Sequence, residues 1–456
     1  MSDAGLTQAE QKMRAAGVNE TAIAIFADYY RQLEAGSTGL IPEGDIEPVG
    51  NLPRLDDLSE TAGDRDALAA TAVIRLNGGL GTSMGLSKAK SLLPVRGGLS
   101  FLDLIARQVL RARETYGVRL PLILMHSFST RDDSLAALSA YDLAVDGLPL
   151  DMMQSQEPKL RADDLTPVEW PADPRLEWCP PGHGDIYPTL LESGILDLLL
   201  EQDFRYACVA NSDNLGAAPS AVLAGWFARS GAPFAAEITP RTAMDVKGGH
   251  VARRRSDGRL ILRESAQTSA EDMAFFTDAS VHPYASTNNL WFDLEALRRT
   301  LSERGGVLGL PMIRNAKTVD PTDASSPAVY QVESAMGAAI ECFDGATAIV
   351  VPRSRFVPVK STNELLLLRS DVYEIGDDSV PRATVEQLPV ARLGKAYKNI
   401  ADFEARVPEA PSLRSARTFT VEGDWTFGAG VTVTGDVVLG PEGGEVPAGA
   451  TLGEEA

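Results

Sequence analysis

A glycine-rich loop that follows a short apolar run constrains this chain more than any other feature. Residues 73–76 (Val-Ile-Arg-Leu) predict a buried strand, and glycines follow at positions 78, 79, 81 and 85. Glycine lets the backbone adopt positive φ and approach a ligand closely. Lys88 and Lys90 come next. Backbone N–H groups beside ammonium groups suit a polyphosphate, so the stretch predicts a nucleotide-binding loop.

The spacing of these glycines excludes two familiar nucleotide motifs. A dinucleotide fingerprint that starts at Gly79 needs a third glycine at position 84, which is Met84. A Walker loop needs lysine directly after its last glycine, where Leu86 stands. A nicotinamide dehydrogenase is therefore a poor candidate. A plain connection with solvated lysines is the simplest alternative, but it explains poorly why so many glycines follow a buried strand.

Charge and length narrow the class of protein. The 456 residues predict two or three domains. There are 42 basic and 63 acidic residues, a net charge of −21, which argues against a nucleic-acid binder or a protein of anionic membrane surfaces. A polyphosphate site in such a chain must be locally positive. Lysines and arginines near glycine loops are therefore the most informative cations.

The cysteines and the apolar runs predict a cytoplasmic protein. Cys179, Cys208 and Cys342 are widely spaced and form neither a disulfide nor a metal pattern. Buried thiols in a reducing compartment are the expected outcome. The chain shows no apolar core of signal-peptide length near its start and no apolar run of membrane-spanning length.

The pattern along the chain predicts an α/β fold. Residues 6–36 predict helices, with Thr7 as the first N-cap, and residues 42–64 predict a wrapping linker. A helix is predicted over 101–116 and a buried strand over 120–125. Strands that alternate with helices in this way indicate a mostly parallel sheet with helices on both faces.

Two further stretches carry candidate ligands. A predicted strand over 206–210 ends in Asn211-Ser212-Asp213, and a carboxylate at the carboxyl end of a parallel strand lies where such sheets bind ligands. Asp213 can supply one oxygen to a Mg²⁺ ion, although a helix cap or Asx-turn is the alternative. His183 lies in a loop rich in proline and glycine, and no serine or cysteine nucleophile motif accompanies it.

The loop and three later stretches resemble one family. Residues 76–82 (Leu-Asn-Gly-Gly-Leu-Gly-Thr), followed by Met84-Gly85 and Ala89-Lys90-Ser91, are similar to the signature loop of the eukaryotic-type UTP–glucose-1-phosphate uridylyltransferases. Residues 180–188 (Pro-Pro-Gly-His-Gly-Asp-Ile-Tyr-Pro), 287–291 (Thr-Asn-Asn-Leu-Trp) and 351–360 extend the resemblance.

The resemblance implies a Rossmann-like nucleotidyltransferase fold of the GT-A-like kind. It has a mixed sheet with helices on both faces, a helical N-terminal segment and a short C-terminal left-handed β-helix. The implied domains are a helical segment with linker over 1–70, a catalytic domain over 71–388, and a C-terminal domain over 389–456 whose β-helix begins at about 418.

The resemblance also implies the site residues. Lys90 and Lys360 are the expected catalytic cations, and Asp213 the expected ligand of the Mg²⁺ cofactor. Nucleotide contacts are expected from Leu76, Asn77, Gly78, Gly79, Lys90, Gln154, Gly182, Asn211, Ser212, Asp213 and Lys360. Sugar contacts are expected from Gly78, Gly79, His183, Asn211, Gly248, Glu264 and Asn288, with residues 246–249 and 262–267 as the sugar-side segments.

Four positions depart from the family pattern. His126 and Ser129 replace two asparagines after the strand predicted at 120–125, and His126 is expected to be a hydrogen-bonding loop residue rather than a base. Ala285 and Ser286 stand where an aromatic residue and an asparagine are expected. The second departure leaves the finer sugar selectivity open.

The implied reaction is transfer of a uridylyl group from UTP to glucose 1-phosphate, which gives UDP-glucose and pyrophosphate by direct in-line attack on the α-phosphorus. The expected partners are these small molecules and no nucleic acid or membrane, with a homo-oligomer formed through the β-helix as a possibility. Two alternatives remain: a UDP-sugar pyrophosphorylase with broader or different sugar specificity, and a non-catalytic nucleotide-sugar sensor on the same fold.

Overall fold

The computed structural model describes residues 3–242, 245 and 248–453 and centres on a seven-stranded mixed sheet. Its strands β1 to β7, in chain order, are Thr71–Asn77, Leu122–His126, Asp151–Met153, Tyr206–Asn211, Phe234–Pro240, Tyr284–Asp293 and Thr347–Val350. They lie in the order β7-β5-β6-β4-β1-β2-β3. Only β6 runs antiparallel to its neighbours in this sheet, so the predicted mostly parallel arrangement is confirmed.

Helices cover both faces of the sheet. The helices α1 to α12 are Asp3–Ala15, Glu20–Glu34, Asp64–Ala69, Phe101–Tyr116, Arg131–Leu138, Ile186–Glu192, Ile195–Glu201, Ala221–Ser230, Met273–Thr277, Leu294–Glu303, Thr362–Arg369 and Ile400–Arg406. Val73 of β1 packs into one apolar cluster with α4 and α8, whereas Ala72 and Ile74 pack into another with α6, α7 and α10. Successive strand residues point to opposite faces, so one strand feeds both cores.

The N-terminal helices form a third, smaller core. Residues of α1 and α2, including Phe26 and Tyr30, pack against Leu160, Met312 and Val332. The predicted N-cap at Thr7 is wrong, because Thr7 lies inside α1. Thr7 and Glu10 match the sequence pattern of a capping box, but the chain is already helical at Asp3.

The predicted linker at 42–64 is partly structured. It contains the strand Ile46–Pro48, which pairs antiparallel with His250–Arg254 and so joins the N-terminal segment to a distant hairpin. That hairpin continues to Leu260–Arg263. A three-stranded sheet has Ala328–Glu333 in the middle, paired with Ile313–Thr318 on one side and Leu160–Arg161 on the other. Three two-stranded sheets pair Tyr373–Ile375 with Pro381–Ala383, Pro94–Arg96 with Leu99–Ser100, and Glu157–Pro158 with Trp178–Cys179.

The C-terminal part is built from short parallel strands. Val390–Leu393, Ser412–Val421, Thr432–Leu439 and Thr451–Leu452 form one parallel sheet, and Trp425–Phe427 pairs in parallel with Gly444–Val446. The apolar side chains of this part join the core that also holds α4. Among the helices in the described part of the chain, none has the length and apolar character needed to cross a bilayer.

Candidate active site

A cavity of about 460 Å³ opens at the carboxyl ends of the central strands. The strands β4, β1, β2 and β3 are neighbours in the sheet, and the segments that leave their ends supply most of the cavity wall. The lining residues are Leu76, Asn77, Gly78, Gly79, Leu80, Gly81, Thr82, Lys90, Ser91, Met125, Gln154, Pro180, Gly182, His183, Asn211, Ser212 and Asp213. The cavity therefore lies at the carboxyl ends of the parallel strands, where the sequence predicted ligand binding.

The glycine loop folds back on itself above β1. Gly81 and Gly85 adopt φ of +64° and +71°, conformations that favour glycine. The backbone N–H of Lys90 donates to the carbonyl oxygen of Gly79 at 3.0 Å, which fixes the lysine over the loop.

Gly78 lies directly against the side-chain amide of Gln154. A Cβ atom on Gly78 would lie 2.9 Å from Nε2 of Gln154, too close for an ordinary contact. The backbone N–H of Gln154 donates to the carbonyl oxygen of His126 at 2.8 Å, which anchors Gln154 to the end of β2. The absence of a side chain on Gly78 therefore leaves room for the amide at the pocket wall.

Lys90, predicted to bind phosphate, and Asp213, predicted to bind the metal, form an ion pair. Nζ of Lys90 donates to Oδ2 of Asp213 at 2.6 Å, and both side chains are largely shielded from solvent. The other carboxylate oxygen, Oδ1, is buried and has no hydrogen-bond partner among the described residues. Lys90 and Asp213 are 123 residues apart in the chain.

The residues present fit a Mg²⁺ ion that is coordinated jointly by the protein and a substrate, not one enclosed by protein ligands alone. In the described part of the chain, no group of three or more His, Cys, Asp or Glu side chains could hold a metal. Mg²⁺ commonly takes one or two carboxylates from the protein and the rest of its shell from water and substrate phosphates. The free Oδ1 of Asp213 satisfies that requirement.

His183 is held as a neutral imidazole. Its Nδ1 accepts a hydrogen bond from the backbone N–H of Met336 at 2.8 Å, so the ring proton resides on Nε2. Burial lowers the pKa of His183 to about 4. The loop packs closely against the backbone of Ser334, since a Cβ on Gly182 would lie 2.5 Å from the Ser334 carbonyl oxygen. His183 thus offers Nε2–H as a fixed donor.

Lys360 does not line the cavity but lies beside it. The preceding residue, Val359, donates its backbone N–H to the carbonyl oxygen of Asp213 at 3.3 Å. The Lys360 side chain is exposed, and its charge acts on the carboxyl group of Glu264. Lys360 therefore lies between the Asp213 turn and the predicted sugar side.

Of the predicted sugar contacts, Gly78, Gly79, His183 and Asn211 line the cavity, whereas Gly248, Glu264 and Asn288 lie outside its wall. Burial raises the pKa of Glu264, against the opposing charge of Lys360. The Glu264 carboxylate packs against Gly249, where a Cβ would lie 2.7 Å from it. Gly248 accepts a bond through its carbonyl oxygen from Arg241 at 3.2 Å. Val246 and Lys247 of the same segment lie outside the described residues.

Asn288 reaches the pocket indirectly. It adopts φ of +59° beside a register shift in the pairing of β6 with β5, a conformation rare for a residue other than glycine. Its Nδ2 donates to Oδ1 of Asn211 at 3.1 Å. The strand irregularity therefore turns the Asn288 side chain toward the end of β4.

His126 acts as the hydrogen-bonding residue expected from the sequence. It is fully buried, and its Nδ1 lies 3.2 Å from Nδ2 of Asn77. Burial lowers the pKa of His126 to about 4. It therefore supports β1 and the glycine loop from below.

Some lining residues were not among the predicted site residues. Leu80, Thr82 and Ser91 flank the predicted contacts within the same loop, so adjacency alone could have found them. Met125 lies at the end of β2, and Pro180 precedes the His183 loop. Their place in the wall follows from the packing of neighbouring strands and has no residue-type signal.

A second groove, of about 670 Å³, shares no lining residue with the cavity at the strand ends. Residues 39–46, the hairpin residues 254–256 and Met312 are among those that line it. Gln267 of the predicted sugar-side segment 262–267 is in its wall, but none of the individually predicted nucleotide, sugar or metal contacts is. The smaller cavity at the strand ends is therefore the candidate active site.

Comparison with known proteins identifies the family of this chain. The sequence model of the family described as UTP–glucose-1-phosphate uridylyltransferase matches residues 24–434. The chain belongs to this family.

Its relatives match over most of their length. The barley (Hordeum vulgare) UTP–glucose-1-phosphate uridylyltransferase is 38% identical over 408 residues, which cover 87% of this chain and 84% of the relative. The crystal structure of UDP-glucose phosphorylase from Trypanosoma brucei is 42% identical, with a TM-score of 0.93 and 99% of each chain covered. A mutant UDP-glucose pyrophosphorylase from Leishmania major, solved in complex with UDP-glucose, is 41% identical, with a TM-score of 0.92 and 98% of each chain covered.

Proposed function

We propose that the cavity at the strand ends binds UTP and that the Asp213–Lys360–Glu264 side of it receives glucose 1-phosphate. The chain is a nucleotidyltransferase, with the activity of its family: it transfers uridylyl from UTP to glucose 1-phosphate and releases pyrophosphate. The observation that carries the residue assignment is the meeting of Lys90 and Asp213 over the glycine loop.

Uracil is assigned to the amide of Gln154. An amide offers both a donor and an acceptor, which a pyrimidine ring with adjacent N–H and C=O groups requires. Gly78 leaves room for that amide and lets the nucleotide approach the backbone. Leu76, Asn77, Gly79 and Gly182 complete this side of the site.

The triphosphate is assigned to Lys90 and the loop backbone. Lys90 is shielded from solvent, so its charge acts more strongly on a phosphate than that of an exposed lysine would. A bound phosphate competes with Asp213 for Nζ of Lys90. Mg²⁺ bound through Asp213 would neutralise charge on the phosphate oxygens, and Ser212 and Asn211 flank that position.

The sugar phosphate is assigned to the opposite side. Glu264 and Asn288 supply an acceptor and an amide for sugar hydroxyls, and Gly248 permits close backbone approach. His183 donates from Nε2 as a neutral group, so it binds phosphate or hydroxyl oxygens without changing protonation near neutral pH.

The reaction needs charge stabilisation and alignment rather than a base. The attacking phosphate oxygen is already anionic, and the pyrophosphate leaves with its charge. Bringing two anions together costs electrostatic energy, which fixed cations on the enzyme offset. Lys90 on the UTP side and Lys360 on the sugar-phosphate side supply those cations, and the rigid loops hold the in-line geometry.

The decisive experiment is pyrophosphate release by purified protein with UTP, Mg²⁺ and a panel of sugar 1-phosphates, with EDTA as control. We expect metal-dependent release with glucose 1-phosphate. Comparable release with galactose 1-phosphate or N-acetylglucosamine 1-phosphate would instead favour a broad UDP-sugar pyrophosphorylase. Nucleotide binding without release for every sugar would favour a sensor and refute the assignment of Lys90 and Lys360.

The C-terminal parallel strands belong to the same proposal as a short left-handed β-helix. Self-association through this part of the chain is also part of the proposal. Light scattering at increasing protein concentration tests it, and a mass that stays at that of one chain would exclude it. A cytoplasmic location is part of the proposal, supported by the free thiols of Cys179, Cys208 and Cys342.

A further inference from the structure

Asn214 is a buried amide in the turn after β4, with 1% of its surface exposed. Its Nδ2 donates to Oδ1 of Asn289 at 3.0 Å and to the carbonyl oxygen of Arg355 at 3.1 Å. Its Oδ1 accepts from the backbone N–H of Gly216 at 3.2 Å and of Val357 at 2.9 Å. Two donated and two accepted bonds use the full capacity of an amide.

These bonds join the turn that carries Asp213 to the segment that carries Lys360. Asn214 forms an isolated antiparallel bridge with Pro358, and Val359 donates its N–H to the carbonyl oxygen of Asp213 at 3.3 Å. Lys360 is the next residue. The position of Lys360 relative to Asp213 is therefore set by backbone contacts that meet at the Asn214 side chain.

The partners of Asn214 are themselves fixed. Glu237 pairs with Arg355 at 2.8 Å and accepts from Nδ2 of Asn289 at 3.1 Å and from Nε1 of Trp291 at 2.9 Å. Burial alone would raise the pKa of Glu237, but the charge of Arg355 and these hydrogen bonds outweigh it and hold the pKa below its ordinary value. We call Asn214, Asn289, Glu237 and Arg355 the Asn214 cluster.

The cluster is polar, buried and connected, which is expensive unless every member is satisfied. Packing alone does not require it, since apolar side chains could fill the same space at lower cost. It contributes a defined geometry: the turn after β4 and the 355–360 segment can meet in only one register.

We propose that Asn214 is a positioning residue that holds Lys360 at the reacting phosphates by tying the 355–360 segment to the Asp213 turn. The proposal rests on the proposed role of Lys360. Because the four side-chain hydrogen bonds of Asn214 go to Asn289, Arg355, Gly216 and Val357 and none to Gln154 or the glycine loop, its loss should affect turnover more than the binding of UTP. A displacement of about 1 Å at a reacting centre can cost about 10²-fold in rate.

The test compares Asn214→Ala with Asn19→Ala, a matched change that removes the N-cap bond to Ala22 in the N-terminal helices. Both should lower the Tm. Asn214→Ala should lower kcat by about 10- to 100-fold and change KM for UTP by less than about threefold. Asn19→Ala should leave both kinetic constants unchanged.

The double variant Asn214→Ala with Lys360→Ala shows whether the effect passes through the lysine. If Asn214 acts by positioning Lys360, the double variant should be no slower than Lys360→Ala alone. Multiplied losses would overturn the proposal, as would wild-type kinetics for Asn214→Ala.

Asn214→Asp serves if the alanine variant fails to fold. The carboxylate keeps the shape and can still accept from Val357 and Gly216, but it sets an anionic oxygen against the carbonyl oxygen of Arg355. It should also lower kcat at least about tenfold with little change in KM for UTP. If Lys360→Ala itself turns over at the wild-type rate, the role of Lys360 and the positioning role fall together, while uridylyl transfer by the wild type stands.

Discussion

The two sides of the pocket are built in different ways. The nucleotide wall, residues 76–91 with Gln154, is a loop whose backbone folds on itself, as the bond from Lys90 to Gly79 shows. The proposed sugar side, which we call the sugar wall, comprises residues 211–216, which begin in the cavity wall, with Glu264, Asn288 and 355–360, which lie beside the cavity. It is assembled from segments far apart in the chain. The bond between Asn214 and Arg355 spans 141 residues. The first wall depends on local glycine geometry, whereas the second depends on long-range polar contacts.

Substitutions in the two walls should therefore affect different kinetic constants. A change in the nucleotide wall alters a preformed loop and should mainly affect nucleotide binding or phosphate charge. A change in the sugar wall loosens the alignment of segments and should mainly affect turnover. The variants below distinguish a loss of nucleotide binding from a loss of turnover, in order of decreasing expected effect.

Lys90→Ala should have the largest effect. It removes the shielded cation over the loop and leaves the Asp213 carboxylate without its partner, so kcat should fall about 10²- to 10³-fold, the scale of a lost charge-stabilising donor. Pyrophosphate release measures it. Lys88→Ala is the matched control, because Lys88 is 67% exposed and pairs only loosely with Asp133 at 3.6 Å. Equal rates for the two variants would exclude Lys90 from the mechanism.

Lys360→Ala should lower kcat about 10²-fold while KM for UTP stays within about threefold, because the cation acts on the sugar-phosphate side. Lys395→Ala, at another exposed lysine, is the control. Initial rates at varied UTP and saturating glucose 1-phosphate give both constants. A rise in KM for UTP with unchanged kcat would move Lys360 to the nucleotide wall and remove the contrast.

Gly78→Ala should raise KM for UTP about tenfold. The new Cβ would lie 2.9 Å from Nε2 of Gln154 and displace the amide, which costs about one hydrogen bond. Gly50→Ala is the matched control outside the site, since a Cβ there meets nothing within 4 Å. If both glycines tolerate alanine equally, Gln154 does not depend on the space that Gly78 leaves.

His126→Asn should have a small, pH-dependent effect on stability. The folded protein keeps His126 neutral with a pKa of about 4, whereas the unfolded chain takes up a proton near pH 6.5. The wild type therefore loses stability from this group as the pH falls from about 6.5 towards 4, by up to about 1.4 kcal/mol per pH unit. Asparagine cannot titrate, so the stability difference between wild type and variant should shrink at lower pH.

Urea denaturation at pH 7, 6 and 5 measures that difference. Gln108→Ala is the control, because it removes a buried amide and no titratable group, so its stability difference from the wild type should stay constant with pH. A difference between wild type and His126→Asn that stays constant with pH would mean that His126 titrates normally in the folded state.

Features that depend on neighbours in the chain were predictable from the sequence. The helix predicted over 101–116 matches Phe101–Tyr116, and the strand predicted over 206–210 is one residue short of β4. Apolar period and glycine spacing are local properties, so they specify helices, strands and the loop after β1. They also placed Asp213 at the carboxyl end of a strand. The family resemblance, not these local patterns, gave the contact residues, and most of those line one cavity.

Features that depend on distant partners became visible in the folded chain alone. The N-cap predicted at Thr7 failed, and the predicted linker supplies a strand to a hairpin some two hundred residues away. The ion pair of Lys90 with Asp213 and the four bonds of Asn214 join segments whose separation in sequence carries no local signal. Such contacts form because the folded sheet brings strand ends together, and a buried polar group must then find its partner across the chain.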